Sequence, residues 1–187
     1  DINVDVNIPG SEVLGTDLTP DLNTSTLVSQ LNGGTGIAEG SFSITDRAGN
    51  SNTVSITSSM TLGEVITAIT LSSPYLTASI NSSGNGITIT DKSSVIKQSL
   101  TVGEVGDGTT ASSLGILGRR DGNLEGIDLN AALSEATLIS ELNGGQGLTL
   151  GNINLVNGAA SGTVSLSSAT TIGEVIDLIN AASGAVT

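Results

Sequence analysis

The side chains available for chemistry in this chain are almost all oxygen nucleophiles and carboxylates. The 187 residues include no histidine and no cysteine. Ser-His-Asp and Cys-His arrangements, zinc–thiolate sites and the commonest general base are therefore excluded. Carboxylate pairs alone could serve as acid and base, for instance on a polysaccharide. The acids, however, stand where caps (Glu64, Glu174), turns (Asp46, Asp91) and a charged spacer (Asp121, Glu125) are expected, and there solvated or capping roles take precedence. "DRAGN" (46–50) and "GDGTT" (106–110) have a faint likeness to calcium loops. Neither carries the alternating acidic ligands and closing bidentate Glu of an EF-hand. Arg119-Arg120 is the one doublet of positive charge, and a local salt bridge to Asp121 or Glu125 is expected for it. The reading is of no catalytic residue, no cofactor-binding residue and no metal ligand.

The glycines pose the sharper question. "LNGGTGI" (31–37) returns as "LNGGQGL" (142–148). A phosphate cradle needs a glycine loop ahead of a helix, so that amides at the positive end face the anion, and a P-loop adds a lysine. Here a helix is expected over "STLVSQLN" (25–32), with Leu27, Val28 and Leu31 on one face, and the glycines follow it, at the carbonyl end that disfavours anions. Gly33 or Gly34 is expected in the left-handed conformation that closes a helix, with Gly36 helping to launch a strand.

Composition narrows the class of partner. Eighteen acids against five bases give a formal net charge of −13, which repels nucleic acid and anionic membrane. An apolar content of 37% is too high for a disordered chain. With one Phe, one Tyr, one Met and no Trp, packing falls to Val, Ile, Leu and Ala. No run approaches the roughly 18–20 apolar residues that span a bilayer, and "DINVDVNIPG" (1–10) lacks the basic start and apolar stretch of a secretory signal.

The glycine words belong to a longer internal repeat. Leu31 and Leu142 are 111 positions apart, and the same shift carries Gly15, Asp17, Leu18, Leu22 and Thr26 onto Gly126, Asp128, Leu129, Leu133 and Thr137. After a one-residue deletion in a turn, "TVSITSSMTLGEVITAIT" (53–70) lies on "TVSLSSATTIGEVIDLIN" (163–180), so duplication explains the pattern better than chance. Alternation predicts strands over 40–46 and 52–58 across the turn 46–50. "TLGEVITAI" (61–69) carries a capping box, Thr61 with Glu64, and an apolar stripe of Leu62, Val65, Ile66 and Ile69. The second copy repeats it with Thr171, Glu174, Ile172, Val175, Ile176 and Ile179. A hairpin is expected from 75–81 and 86–91, returning at Asn85-Gly86. A further strand over 98–105 and the segment 109–116 follow, with a module boundary in the spacer 118–126. The second copy reaches only "SGAVT" (183–187), the counterpart of the start of that hairpin. A strand without its partner, in a fragment of a larger polypeptide, is the expectation.

The stretches "LNGGTGIAEGSFSITDRAGNSNTVSI", "TLGEVITAI" and "LTASINSSGNGITITD" resemble the flagellin hook IN motif. That motif belongs to the outer domains of bacterial flagellins, hook-associated filament-cap proteins and related filament proteins. The resemblance covers most of 25–116 and again 126–187. The motif's Ile-Asn pair matches Ile179-Asn180, whereas the first copy has Ile69-Thr70. The long heptad-like terminal helices that polymerise in that family have no counterpart in this sequence, which implies an outer, surface-displayed part.

The expected fold is α+β, built of tandem repeats of short antiparallel β-hairpins, each packed with one or two short amphipathic helices. Residues 1–14 would be a lead-in strand from a preceding module, 15–125 the first repeat and 126–187 a second, truncated one. The resemblance implies a structural, non-enzymatic module of an extracellular filament on a bacterial flagellum or cell surface, exported without a cleaved peptide. Its partners would be neighbouring subunits of the same filament and O-linked glycans on Ser or Thr, with no cofactor, nucleic acid or membrane. The alternative is a cell-surface adhesin or glycan-binding repeat with its ligand at turns 46–52 and 103–110, although the chain is poor in the aromatics that stack on sugars.

Overall fold

A computed structural model describes residues 18–157 and 160–183. The lead-in strand expected over 1–14 and the final residues 184–187 lie outside them. The protein is mixed α+β with antiparallel sheets and a few short helices. Chain contacts divide it into two compact units, one spanning Asp21–Leu133 and the other containing the residues from Ser134 onward.

In the first unit, period-two alternation sets the strands. β1 (Gly40–Thr45) and β2 (Ser51–Ile56) form a hairpin, and β5 (Leu100–Glu104) and β6 (Gly118–Arg120) extend it into a sheet ordered β2-β1-β5-β6. β3 (Leu76–Ile80), β4 (Ile87–Asp91) and β7 (Leu124–Glu125) make a second sheet in that order. Phe42 stands opposite Val54, and Ile44 opposite Val102, so cross-strand apolar pairs fall on one face. That face, the inner residues Ile87, Ile89 and Leu124 of the second sheet, and the helix α1 (Leu62–Leu71) share one core. The core is aliphatic except for Phe42, which is fully buried, and sealing each such side chain contributes about 1.5–3 kcal/mol.

The helix forms where the capping box places it. The Thr61 side chain accepts from the Glu64 amide, and Glu64 Oε2 accepts from the Thr61 amide at 2.7 Å. Leu62, Val65 and Ile69 are buried, with Ile66 half-buried against the core, and α1 packs on β3 and β2. A short helix α2 (Thr110–Ser113) packs on β1 and β5.

Two expectations need correction. The segment 25–32 is not one α-helix but a pair of 3-10 turns, Val28–Gln30 and Asn32–Gly34, separated by extended Leu31. Backbone pairing to the lead of α1 holds it in this form. Leu27 bridges Thr61, the Val28 amide donates to Met60 O, and the Leu62 amide donates to Thr26 O. Val28 and Leu31 are both buried, whereas Leu27 is 40% exposed and does not share their face. The spacer 118–126 is likewise not a spacer. It contains β6 and β7, which close the edges of the two sheets.

In the second unit, β8 (Asn152–Asn157) pairs antiparallel with β9 (Ala160–Ser165), and α3 (Ile172–Ser183) follows. A 3-10 turn at Ile139–Glu141 precedes them, and Leu138 bridges Thr171. Glu174 Oε2 accepts from the amides of Thr170 and Thr171, and its own amide donates to Thr171 Oγ1. Among the described residues no helix is long and apolar enough to cross a membrane.

Candidate functional site

A group of ionisable side chains lies where β1 and β4 end. On β1 the inward residues are Phe42 and Ile44, and the next inward position is Asp46. On β4 they are Ile87 and Ile89, followed by Asp91. Strand parity therefore carries both carboxylates inward, where Asp46 is 0% and Asp91 5% exposed. Of the solvated or capping roles expected for these two acids, solvation is ruled out by the same period of two that placed the strands.

Both are hydrogen-bonded as buried carboxylates must be. Asp46 Oδ1 accepts from the Asn50 amide at 2.8 Å, and Oδ2 accepts from Asn50 Nδ2 at 2.8 Å and Ser73 Oγ at 2.5 Å. The turn closes on itself through Gly49 N to Asp46 O and Asp46 N to Asn50 O. Asp91 Oδ2 accepts from the Arg47 amide at 2.7 Å and Oδ1 from the Ser93 amide at 2.8 Å. The Arg47 guanidinium lies 3.8 Å from Asp91 Oδ1 and donates to the carbonyls of Asp91 and Asp121. Ser99 donates to the Asp121 carboxylate. One turn thus ties together the ends of β1, α1 and β4 and the segment leading into β7.

The electrostatics follow from these bonds. Burial by itself would raise the carboxyl of Asp46, but the donors from Ser73, Asn50 and Gly49 outweigh it and hold the pKa below the ordinary value of 3.8. At Asp91 burial is again the largest single influence. Ser93, the Arg47 amide and the Arg47 charge together overcome it, so this carboxyl is also lowered. A general acid working near neutrality needs a raised pKa and a path to substrate. These two carboxylates have neither, and their chemistry is that of structural anchors.

The glycine words resolve through their amides. Asn32 (φ 52°), Gly33 (φ 65°) and Gly34 (φ 85°) are all left-handed, as expected for the glycines. The amides face backbone carbonyls: Asn32 N donates to Leu129 O at 2.6 Å, Gly33 N to Asn130 O at 2.7 Å, Gly34 N and Gly36 N to Leu31 O, and Ile37 N to Val28 O. In this first word no nest of free amides is left to cradle an anion. Asn143, Gly144 and Gly145 are left-handed in the same order, and Gly147 N donates to Leu142 O.

The remaining candidates are placed as follows. Arg119 and Arg120 are exposed on β6, and Arg120 Nη1 donates to the Arg119 carbonyl. Neither forms a salt bridge among the described residues, because the expected acids face elsewhere: Asp121 takes Ser99, and Glu125 Oε2 accepts from Thr88 Oγ1 across β4 and β7 at 2.5 Å. At "GDGTT" the acid that matters is Glu104, which sequence reasoning passed over. Its carboxylate accepts from the amides of Ala111 and Ser112 and caps α2. Glu39, also passed over, accepts from the Ser58 amide at 2.7 Å, and its exposed carboxyl is lowered by the Ser58 bonds. Among the described residues no cluster of three or more acidic groups could hold a metal ion. A shallow depression along α1, lined by Thr24, Gly63, Thr67, Ala68 and Leu71, holds a single acid, the capping Glu64.

Comparison with known proteins adds no relative: no family model, no curated protein and no solved structure matches the chain.

Proposed function

We propose that this chain is a structural, non-enzymatic module: a tandem of α+β hairpin repeats displayed on the outside of an extracellular flagellar or flagellar-like filament. The observation that carries the reading is local equivalence. Sequence words 110 or 111 residues apart take the same local form. Phe42 opposite Val54 in the first hairpin corresponds to Ile153 opposite Val164 in the second. Thr61 with Glu64 corresponds to Thr171 with Glu174, and three consecutive left-handed residues stand in each glycine turn. The polar groups most suited to chemistry are engaged in capping helices and closing turns, which supports a role in shape over one in turnover. A net charge of −13 would keep a densely displayed surface soluble until specific subunit contacts form.

The test is electron microscopy of the native material with the intact mass of the parent chain. Filaments of a longer subunit carrying helical termini are expected. A soluble monomer would remove the filament reading and leave the binding-module alternative in front.

A further inference from the structure

We propose that a basic pole of the first unit, with Val95 and Ile96 at its centre, docks on a second copy of this chain, at the acid-flanked depression along that copy's α3. Naming a contact between copies deepens the module reading, on which the choice of partner rests.

The five bases of the chain are Arg47, Lys92, Lys97, Arg119 and Arg120. All fall in the first unit, and the fold gathers them at one end. The Lys97 amide donates to Arg47 O at 2.8 Å, and Arg47 Nη1 donates to Asp121 O at 3.0 Å. Arg120, next to Asp121, stands opposite Leu100 on β5, and Lys92 follows Asp91, which accepts from the Arg47 amide. The neighbouring Asp46 and Asp91 are buried, and Asp121 is exposed. Lys92, Lys97, Arg119 and Arg120 are all exposed. A positive surface therefore stands out on a chain of net charge −13.

The segment 92–98 supplies the apolar part. Its ends are pinned, by Lys92 N to Tyr75 O and by Lys97 N and Gln98 N to Arg47 O. Between them Val95 and Ile96 are 57% and 58% exposed. Two adjacent aliphatic side chains between two lysines, held in place before binding, make an apolar centre with a charged rim. That chemistry suits a protein surface better than a sugar, which stacks on aromatic rings.

The matching surface is in the second unit. From Ser134 onward the chain has four acids, Glu135, Glu141, Glu174 and Asp177, and no base. On α3, Glu174, Asp177, Leu178 and Ala181 recur at helical spacing and, with Ala169, line a shallow, largely apolar depression. The corresponding depression on α1 has Glu64 but carries Thr67 where α3 has Asp177, so it is the weaker partner. Two lysines set against two carboxylates across an aliphatic contact complement one another in charge and in polarity. Pole and depression are different surfaces, so the contact is heterologous and passes from copy to copy.

The experiment is sedimentation velocity on the whole chain at about 0.15 M salt, where repulsion between the net charges is screened beyond roughly 8 Å. Association with a midpoint of roughly 0.1–1 mM is expected for a small contact. Lys92→Glu with Lys97→Glu should remove it, and Asp177→Lys should weaken it at least tenfold, each with unchanged circular dichroism. Mixing these two variants should restore association as pairs, because the unaltered depression of the first meets the unaltered pole of the second. Ile96→Ser should weaken it by roughly tenfold with no change of charge. A chain monomeric at about 1 mM, or a mixture of the two variants that stays monomeric, would overturn the proposal. Polygalacturonate binding at Lys92 and Lys97 by a chain that does not associate would overturn it too, assigning the pole to an acidic glycan. Filaments in the native material beside a monomeric chain would sink this contact and keep the module reading; association without native filaments would do the reverse.

Discussion

Ser73 Oγ donates to Asp46 Oδ2 at 2.5 Å, and both residues are buried, at 4% and 0% exposure. The bond fastens the end of α1 to the turn between β1 and β2, across 27 positions of sequence. Removing a donor to a buried carboxylate costs about 1.5–3 kcal/mol. Ser73→Ala should therefore lower the unfolding free energy of the first unit by that amount, read as a lower urea midpoint, with little change in the second. An unaltered midpoint would mean that the Asp46 turn is not a clamp.

Acid should loosen the same place. The carboxyls of Asp46 and Asp91 titrate below their ordinary value in the folded chain. Their contribution is therefore complete above the unfolded-state pKa, about 3.9. It is lost as pH falls through the lower folded values. Urea unfolding followed by far-ultraviolet circular dichroism should give a nearly constant midpoint for the first unit from pH 7 to 5 and a decline below about pH 4. A midpoint that holds or rises down to pH 3 would contradict the lowered values.

Gly63→Ala tests close packing against helix propensity. On propensity alone, alanine in a helix gains up to about 1 kcal/mol over glycine. Here a Cβ would stand 2.8 Å from the Thr24 carbonyl oxygen and 3.0 Å from Thr24 Cβ, and the Gly63 amide donates to that carbonyl at 2.9 Å. Gly173 meets the backbone of Glu135 in the same way. The substitution should destabilise the first unit by about 1–3 kcal/mol, and a rise in thermal midpoint would refute the packing account.

The arginine doublet should be nearly silent. With Arg119 and Arg120 exposed and free of salt bridges among the described residues, the pair of changes Arg119→Ala and Arg120→Ala should move stability by no more than about 0.5 kcal/mol each. A loss above 2 kcal/mol for the double variant would reveal an ion pair that the structure does not contain.

The strands of both hairpins and the capped helices were legible because their signals are local: alternation in 40–46 and 86–91, and a Thr and Glu three apart at 61–64. What escaped depends on distant partners. The 25–32 segment carries helix-like spacing, yet Met60 and Thr61 draw its backbone into pairing instead of an α-helix. β7 is only two residues long and exists because Ile89 and Thr88 stand opposite Leu124 and Glu125. Asp46 and Asp91 are of a residue type that favours turns. The parity of Phe42, Ile44 and of Ile87, Ile89 pointed inward at both, but Arg47, which satisfies Asp91, lies 44 positions away.

After β7 the chain runs from Gly126 to Ala132 as a tether stitched to the first unit. Its bonds pair Gly126 with Ile87, Ile127 with Gly115, Leu129 with Asn85, Asn32 with Leu129, Gly33 with Asn130 and Ala132 with Gln30. The glycine turn at Asn32-Gly33 is thereby a clasp: it grips the backbone on either side of Leu129 and Ala131 and keeps those two side chains sealed in the aliphatic core.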